Sequence, residues 1–80
     1  MNNGERFLDL VGADLLGVDV ANDGDVYLLR VKNHIADTID KYSVSVDGKS
    51  LCIDVLEGRK LDESELLNKL EICRKASFIM

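Results

Sequence analysis

The chain has 80 residues, of which 10 are Lys or Arg and 15 are Asp or Glu, so its formal net charge is −5. A separate core needs roughly 50 residues, and we therefore expect a single domain over residues 1–80. The apolar share of 46% excludes a disordered chain, and no apolar run approaches the ~18 residues that span a bilayer. The first residues lack the basic and apolar regions of a secretory signal, so we expect a cytoplasmic protein.

The first predicted element is a helix over residues 5–16. Leu8, Val11 and Leu15 recur there at helical spacing and form an apolar stripe, with Phe7 beside them. Gly17 follows as a predicted left-handed cap, because glycine adopts positive φ without a steric penalty.

Two β-rich segments come next, over residues 17–21 and 26–31. They flank the Asn-Asp-Gly-Asp sequence of residues 22–25, which predicts a hairpin turn. The first strand is short, and we expect it to lie at an edge of the sheet. For residues 33–41 two interpretations stay open, a helical turn capped by Asn33 and a structured loop.

The second predicted hairpin starts with the strictly alternating residues 42–46. Asp47-Gly48 is a preferred dipeptide for a two-residue turn, and that turn sets Val44 opposite Leu51. The same register separates apolar from polar side chains. One predicted face holds Tyr42, Val44, Val46, Leu51, Ile53 and Val55. The other holds Ser43, Ser45, Ser50, Cys52 and Asp54.

The last predicted element is a helix that begins at Asp62 and ends near Ala76. Asp62 and Glu65 have the spacing of a capping box, and Leu66 and Leu70 lie on one helical stripe. The element order α-β-β-(α)-β-β-α predicts an α+β fold. We expect an antiparallel sheet of about four strands in two hairpins, flanked by an N-terminal and a C-terminal helix.

Candidate metal and nucleotide sites fail on their spacing. Residues 19–25 contain the acids and the glycine of a calcium loop, but Ala21 and Arg30 stand where an EF-hand needs oxygen ligands. The tripeptide at residues 48–50, Gly-Lys-Ser, lacks the upstream glycine of a phosphate-binding loop. We therefore expect no metal, nucleotide or other cofactor.

Catalytic side chains are scarce. His34 is the single histidine, so a Ser-His-Asp or Cys-His unit would have to use it. Cys52 and Cys73 are 21 positions apart and cannot form a four-ligand zinc site alone. They are either two unpaired thiols or a redox pair that the fold brings together. We predict no catalytic residues.

The net charge lies in the first half of the chain. Residues 7–29 contain five aspartates and no Lys or Arg. A surface built from this segment repels nucleic acid and anionic lipid, and it attracts a basic protein. We predict that these aspartates form a partner-binding face. They are Asp9, Asp14, Asp19, Asp23 and Asp25.

The C-terminal residues Phe78, Ile79 and Met80 form an apolar tail. Two positions are open for this tail: it packs against the sheet, or it is exposed and contacts a partner. We include it as a second predicted partner-binding element.

These features predict a non-catalytic protein-binding module, an adaptor or stoichiometric inhibitor of a basic, nucleic-acid-handling protein. Small inhibitors that viruses and mobile elements direct against host defence share this profile. The alternative is a self-associating structural subunit, because an opening helix followed by antiparallel strands is similar in topology to small acidic secretion chaperones. We expect no direct binding of nucleic acid or membrane, and a homodimer stays open.

Overall fold

A computed structural model describes the backbone of residues 1–79 and the side chains of residues 1–77. The elements are α1 (Asn3–Val11), β1 (Val18–Asp23), β2 (Val26–Asn33), β3 (Thr38–Asp47), β4 (Ser50–Glu57) and α2 (Glu63–Ile79). The strands form one antiparallel sheet in the order β1-β2-β3-β4. The predicted α+β fold is therefore confirmed. No helix within residues 1–79 is both long enough and apolar enough to cross a bilayer.

Both helices cover the same face of the sheet. The covered face presents alternate residues of each strand, and the buried apolar residues of the strands all belong to this set. The core comprises Phe7, Leu10, Leu29, Val31, Tyr42, Val44, Leu51, Leu61, Leu66, Leu67 and Leu70. The ring of Phe7 meets the ring of Tyr27 edge to face, with centroids 5.4 Å apart.

The first helix is shorter than the predicted helix over residues 5–16. It begins after Asn2, whose Oδ1 accepts the backbone N–H of Glu5 at 2.9 Å. It ends before Gly12, because glycine has low helix propensity. Gly17, the predicted cap, instead has φ +78° in the turn that leads into β1.

The predicted core stripe of α1 also requires correction. Phe7 and Leu10 are buried, whereas Leu8 is 45% exposed. Leu15 lies in the segment between α1 and β1 and packs against the core from outside the helix. The predicted stripe assumed that the helix continued beyond Gly12, and the early end of α1 removes that continuity.

Each two-residue turn of the sheet begins with a glycine. The β1–β2 turn is residues 24–25 and the β3–β4 turn is residues 48–49. Gly24 has φ +64° and Gly48 has φ +62°, and the residues that follow them do not have positive φ. A glycine at the first central position is what a type II′ turn requires.

The predicted turn at residues 47–48 is therefore wrong by one residue. Val44 pairs with Ile53 rather than with Leu51. Moving the turn by one residue shifts the register by two, and a shift of two keeps every side chain on its face. The predicted faces are confirmed for this reason, although the predicted register is not.

Residues 34–37 form the turn between β2 and β3. The Asn33 side chain accepts the backbone N–H groups of Ile35 at 3.1 Å and Ala36 at 3.2 Å. These hydrogen bonds give the backbone N–H groups of the turn a local acceptor, as in an Asx turn. The loop interpretation of residues 33–41 is correct for residues 34–37 only, because Asn33 ends β2 and residues 38–41 belong to β3.

The second helix starts as predicted. The backbone N–H of Glu65 donates to Asp62 Oδ1 at 2.8 Å, and Asp62 N–H donates to Glu65 Oε1 at 3.4 Å, which forms a capping box. The helix continues to Ile79, past the predicted end near Ala76. Its last turns are tied to the α1–β1 segment, because Leu16 N–H donates to the Cys73 carbonyl at 3.1 Å.

Glu63 closes one edge of the sheet. Its Oε1 accepts the backbone N–H of Leu51 at 2.7 Å, and its Oε2 accepts the Asn3 side-chain amide at 2.7 Å. The Asn3 hydrogen bond, followed by the Leu51 hydrogen bond, lowers the pKa of Glu63 below its usual value of 4.5. Glu63 thereby joins the beginnings of both helices to β4.

Tyr42 holds the connection between β4 and α2. Its hydroxyl donates to the Arg59 carbonyl at 2.7 Å and lies 3.4 Å from Asp40 Oδ2. Burial, reinforced by the Asp40 carboxylate, raises the pKa of Tyr42 to about 12, so the hydroxyl remains a donor. Asp40 in turn leaves no room beside Gly58, which has φ +99°.

We expect Gly58→Ala to destabilise the protein more than Gly24→Ala. Both positions have positive φ, which costs an alanine roughly 1–2 kcal/mol. An added Cβ at Gly58 would also collide with the Asp40 carboxylate, whereas nothing lies within 4 Å of one at Gly24. Urea denaturation should show a total loss of roughly 2–4 kcal/mol for Gly58→Ala. Equal losses for the two variants would contradict the packing of Asp40 on Gly58.

The stability conferred by Glu63 should depend on pH. Because the folded-state pKa is lowered, this stability is present above about pH 4.5 and is lost as the pH falls through the folded-state value. We expect Glu63→Gln to melt below the wild type at neutral pH and to lose less on acidification. Asp54→Asn, which removes an exposed carboxylate of β4, is the matched control and should keep the wild-type acid slope. Parallel acid slopes for all three proteins would contradict this role of Glu63.

Candidate functional site

The structure separates the side chains that a catalytic unit would need. Cys52 pairs with Ser45 on β3, whereas His34 lies just beyond Thr38, the opposite end of that strand. The seven steps along the strand from Thr38 to Ser45 correspond to roughly 23 Å. Cys52 is therefore far from the single histidine.

The two cysteines are free. Cys52 is exposed on the uncovered face of the sheet, while Cys73 lies on α2, which packs on the covered face. The sheet separates the thiols, so they cannot form a disulfide without rearrangement. Burial raises the pKa of the Cys73 thiol, which disfavours the nucleophilic thiolate.

No group of three or more His, Cys, Asp or Glu side chains within the described residues is arranged to hold a metal ion. A depression of about 520 Å³ lies between the β2–β3 turn and α2. Asp40 and Glu65 line it together with Arg59 and Lys69, so the formal charges of its walls cancel. This depression provides no net attraction for an ion.

The structure divides the five predicted aspartates into two groups. Asp9 belongs to the helical layer and forms an ion pair with Arg74 of α2 at 3.1 Å. Asp14 lies in the α1–β1 segment, where its carbonyl accepts the Ser77 hydroxyl at 3.1 Å. The other three belong to the first hairpin. They are Asp19 and Asp23 on β1, and Asp25 in the turn.

Asp19 and Asp23 point to the uncovered face of the sheet. Their neighbours Val18 and Val20 lie opposite the core residues Val31 and Leu29 and so point to the covered face. Asp19 lies opposite Arg30 on β2, but no ion pair joins the two side chains. The ion pairs within the described residues use other acids, which are Asp9, Glu57, Glu65 and Glu71. The hairpin carboxylates are therefore available to a partner.

β1 is an exposed edge strand, as the sequence predicted. Five of its six residues are exposed, and among the described residues β2 is the only element with which it makes extensive contact. Its pairing with β2 continues without a bulge from Val18 to Asp23. No hydrogen bond within the described residues uses the outer edge of β1.

The opposite edge of the sheet is interrupted. The backbone of β4 is occupied at Leu51 by Glu63, and the adjoining Lys49 carbonyl accepts the Gly4 N–H at 3.1 Å. A register shift opposite residues 41–42 places Leu56 outside the regular pairing, and bulges of this kind interrupt a strand edge. β1 is therefore the longer continuous edge that remains available.

Apolar side chains border the covered side of β1. A depression of about 380 Å³ is lined by residues of β1, the α1–β1 segment and the ends of both helices. Its apolar walls include Val11, Leu15, Leu16, Val18 and Val20. Val20 is 39% exposed and Leu16 is 40% exposed. A side chain of a partner bound on this side of β1 would contact an apolar surface.

The uncovered face of the sheet is the other accessible surface. Leu28 and Leu56 line a shallow depression of about 290 Å³ together with Arg30 and Lys41. Leu56 is 60% exposed. The surface combines apolar and basic groups, in contrast to the acidic residues of β1 and its turn.

The predicted apolar tail falls where the described residues end. The side chains of Phe78 and Ile79, and all of Met80, lie outside the described residues. Two other important residues gave no signal in the sequence. Glu63 bonds to partners 12 and 60 positions away in the chain, and Asp40 packs on Gly58. A local sequence pattern does not report such contacts.

Comparison of the chain with protein-family models, with curated proteins and with solved structures found no match.

Proposed function

We propose that this chain is a non-catalytic protein-binding module that docks on a basic protein through its first hairpin. One observation supports the proposal above the others: an exposed edge strand carries carboxylates that no cation of the described residues pairs with. Such a surface attracts a basic partner and accelerates its association. The role that follows is that of an adaptor or a stoichiometric inhibitor.

In its specific form, the proposal concerns a cytoplasmic inhibitor of viral or mobile-element origin that acts on a nucleic-acid-handling protein. Proteins that bind nucleic acid have basic surfaces, which are complementary to the hairpin of Asp19, Asp23 and Asp25. The free thiols of Cys52 and Cys73 agree with a reducing compartment.

Removal of carboxylates from β1 should weaken partner binding. Each exposed ion pair contributes about 0.2–1 kcal/mol, so Asp19→Asn combined with Asp23→Asn should raise the Kd roughly 2- to 30-fold. The measurement is affinity capture from cognate-cell lysate at low and high salt, followed by titration of the purified partner. Salt should reduce the affinity of the wild type more than that of the variant.

The matched control is Asp47→Asn combined with Asp54→Asn. It removes the same formal charge from exposed positions of β3 and β4 and should leave the affinity near that of the wild type. If both double variants bind equally well, the first hairpin is not the docking surface and the proposal fails.

A second candidate function is self-association, in which the uncovered face of one sheet packs on that of another copy. The observation that favours it is the exposure of Leu56 and Ile39, at 60% and 43%, on this face. Sedimentation of the wild type and Leu56→Lys decides this candidate. A monomer at tens of micromolar would reject it, whereas a dimer disrupted by Leu56→Lys would support it.

A further inference from the structure

The backbone of β1 carries an unused row of hydrogen-bonding groups. Lys32 N–H donates to the Gly17 carbonyl at 2.9 Å, which makes Gly17 and Lys32 a hydrogen-bonded pair of the ladder. Such pairs alternate with non-hydrogen-bonded pairs along antiparallel strands. Val18, Val20 and Asn22 therefore direct their N–H and C=O groups outward, away from β2.

The two sides of β1 differ in chemistry. Asp19 and Asp23 lie on the uncovered side, with Ala21 between them. Val18 and Val20 lie on the covered side, beside the apolar depression described above. A strand added at this edge would place alternate side chains on these two sides, because the side-chain period of a strand is two.

A second copy of this chain is a poor occupant of the edge. An antiparallel β1–β1 pair centred on Ala21 would set Asp19 opposite the Asp23 of the other copy, and a pair centred on Asp19 would set both Asp19 side chains opposite each other. A pair centred on Val20 would set Asp19 opposite Ala21 and leave the two Asp19 side chains as diagonal neighbours. Like charges directly opposite each other destabilise strand pairs. Carboxylates on an edge strand thus oppose self-pairing and favour a basic strand.

We propose that β1 accepts an extended segment of the basic partner as a fifth strand of the sheet. This mode of recognition rests on the function proposed above and specifies how the partner would bind. In the antiparallel register, basic residues of the segment stand opposite Asp19 and Asp23 and are four positions apart. Apolar residues of the segment stand opposite Val18 and Val20. Hydrogen bonds between the two backbones supply the affinity, and the acidic and apolar sides of β1 select the sequence of the partner's segment.

The decisive variant is Val20→Pro. Proline lacks the outward N–H of Val20, and it is tolerated on an edge strand where that N–H faces solvent. Val20→Ala is the matched control, because it shortens the side chain but keeps the N–H. We expect Val20→Pro to weaken partner binding about tenfold or more relative to Val20→Ala, which corresponds to about 1.4 kcal/mol. Equal affinity of the two variants would overturn strand addition.

Amide hydrogen exchange of the wild-type protein gives a test that does not depend on a variant. On binding, the outward amides of Val18, Val20 and Asn22 should gain protection. The amides of Asp19 and Ala21 are already bonded to β2 and should change less. Unchanged exchange at the three outward amides of a saturated complex would also overturn the proposal.

A peptide pair tests the predicted pattern directly. The probe TKTAVKVT places both lysines on one side of a strand, whereas TKTAKVVT has the same composition but divides them between the two sides. We expect chemical shift changes along β1 and binding about threefold or more tighter for the first peptide. Equal binding of the two peptides would show that β1 selects net charge rather than the alternating pattern, which would contradict the proposed register.

The two proposals fail in different ways. If Asp19→Asn with Asp23→Asn weakens binding but Val20→Pro matches Val20→Ala, docking on the hairpin stands and strand addition fails. If neither set of variants changes the affinity for the partner, the proposed function fails together with the mode of recognition.

Discussion

The carboxylate of Glu63 occupies the β4 edge of this sheet, whereas the β1 edge stays open. Its two oxygens accept the Leu51 backbone N–H and the Asn3 side-chain amide, each at 2.7 Å. One side chain therefore joins the starts of both helices to the first residues of β4. Because the helices contact β4 at this end of the sheet, β1 at the other edge has β2 as its one extensive neighbour in the part of the chain that the structure describes. The surface that we assign to the partner exists because of this asymmetry.

An exposed edge strand is a hazard as well as an opportunity. Its unpaired N–H and C=O groups accept any compatible strand, including one from another copy of the same chain. The carboxylates of Asp19 and Asp23 oppose that self-pairing and at the same time favour a basic segment. A single pair of side chains can therefore serve both solubility and selection, because specificity depends on the difference in affinity between competing partners.

The secondary structure could be predicted from the sequence wherever local spacing determines it. The capping box of Asp62 and Glu65 and the alternation of residues 42–46 each correspond to an observed element. Errors occurred where two local solutions compete. Asp47-Gly48 and Gly48-Lys49 both provide a two-residue turn with a glycine at positive φ, and Gly12 and Gly17 both offer an end to the first helix. A local pattern does not distinguish the two solutions in either case.

The sequence by itself determined the order of elements, the apolar and polar faces of the strands and the acidic character of the first hairpin. These properties follow from side-chain periodicity, turn residues and formal charge, which need no distant contact. Only the tertiary structure decided that Arg74, 65 positions away, pairs with Asp9 while Asp19 and Asp23 form no ion pair within the described residues. It also decided that β1 is the available edge. Both outcomes depend on contacts between residues far apart in the chain, and a local pattern does not contain them.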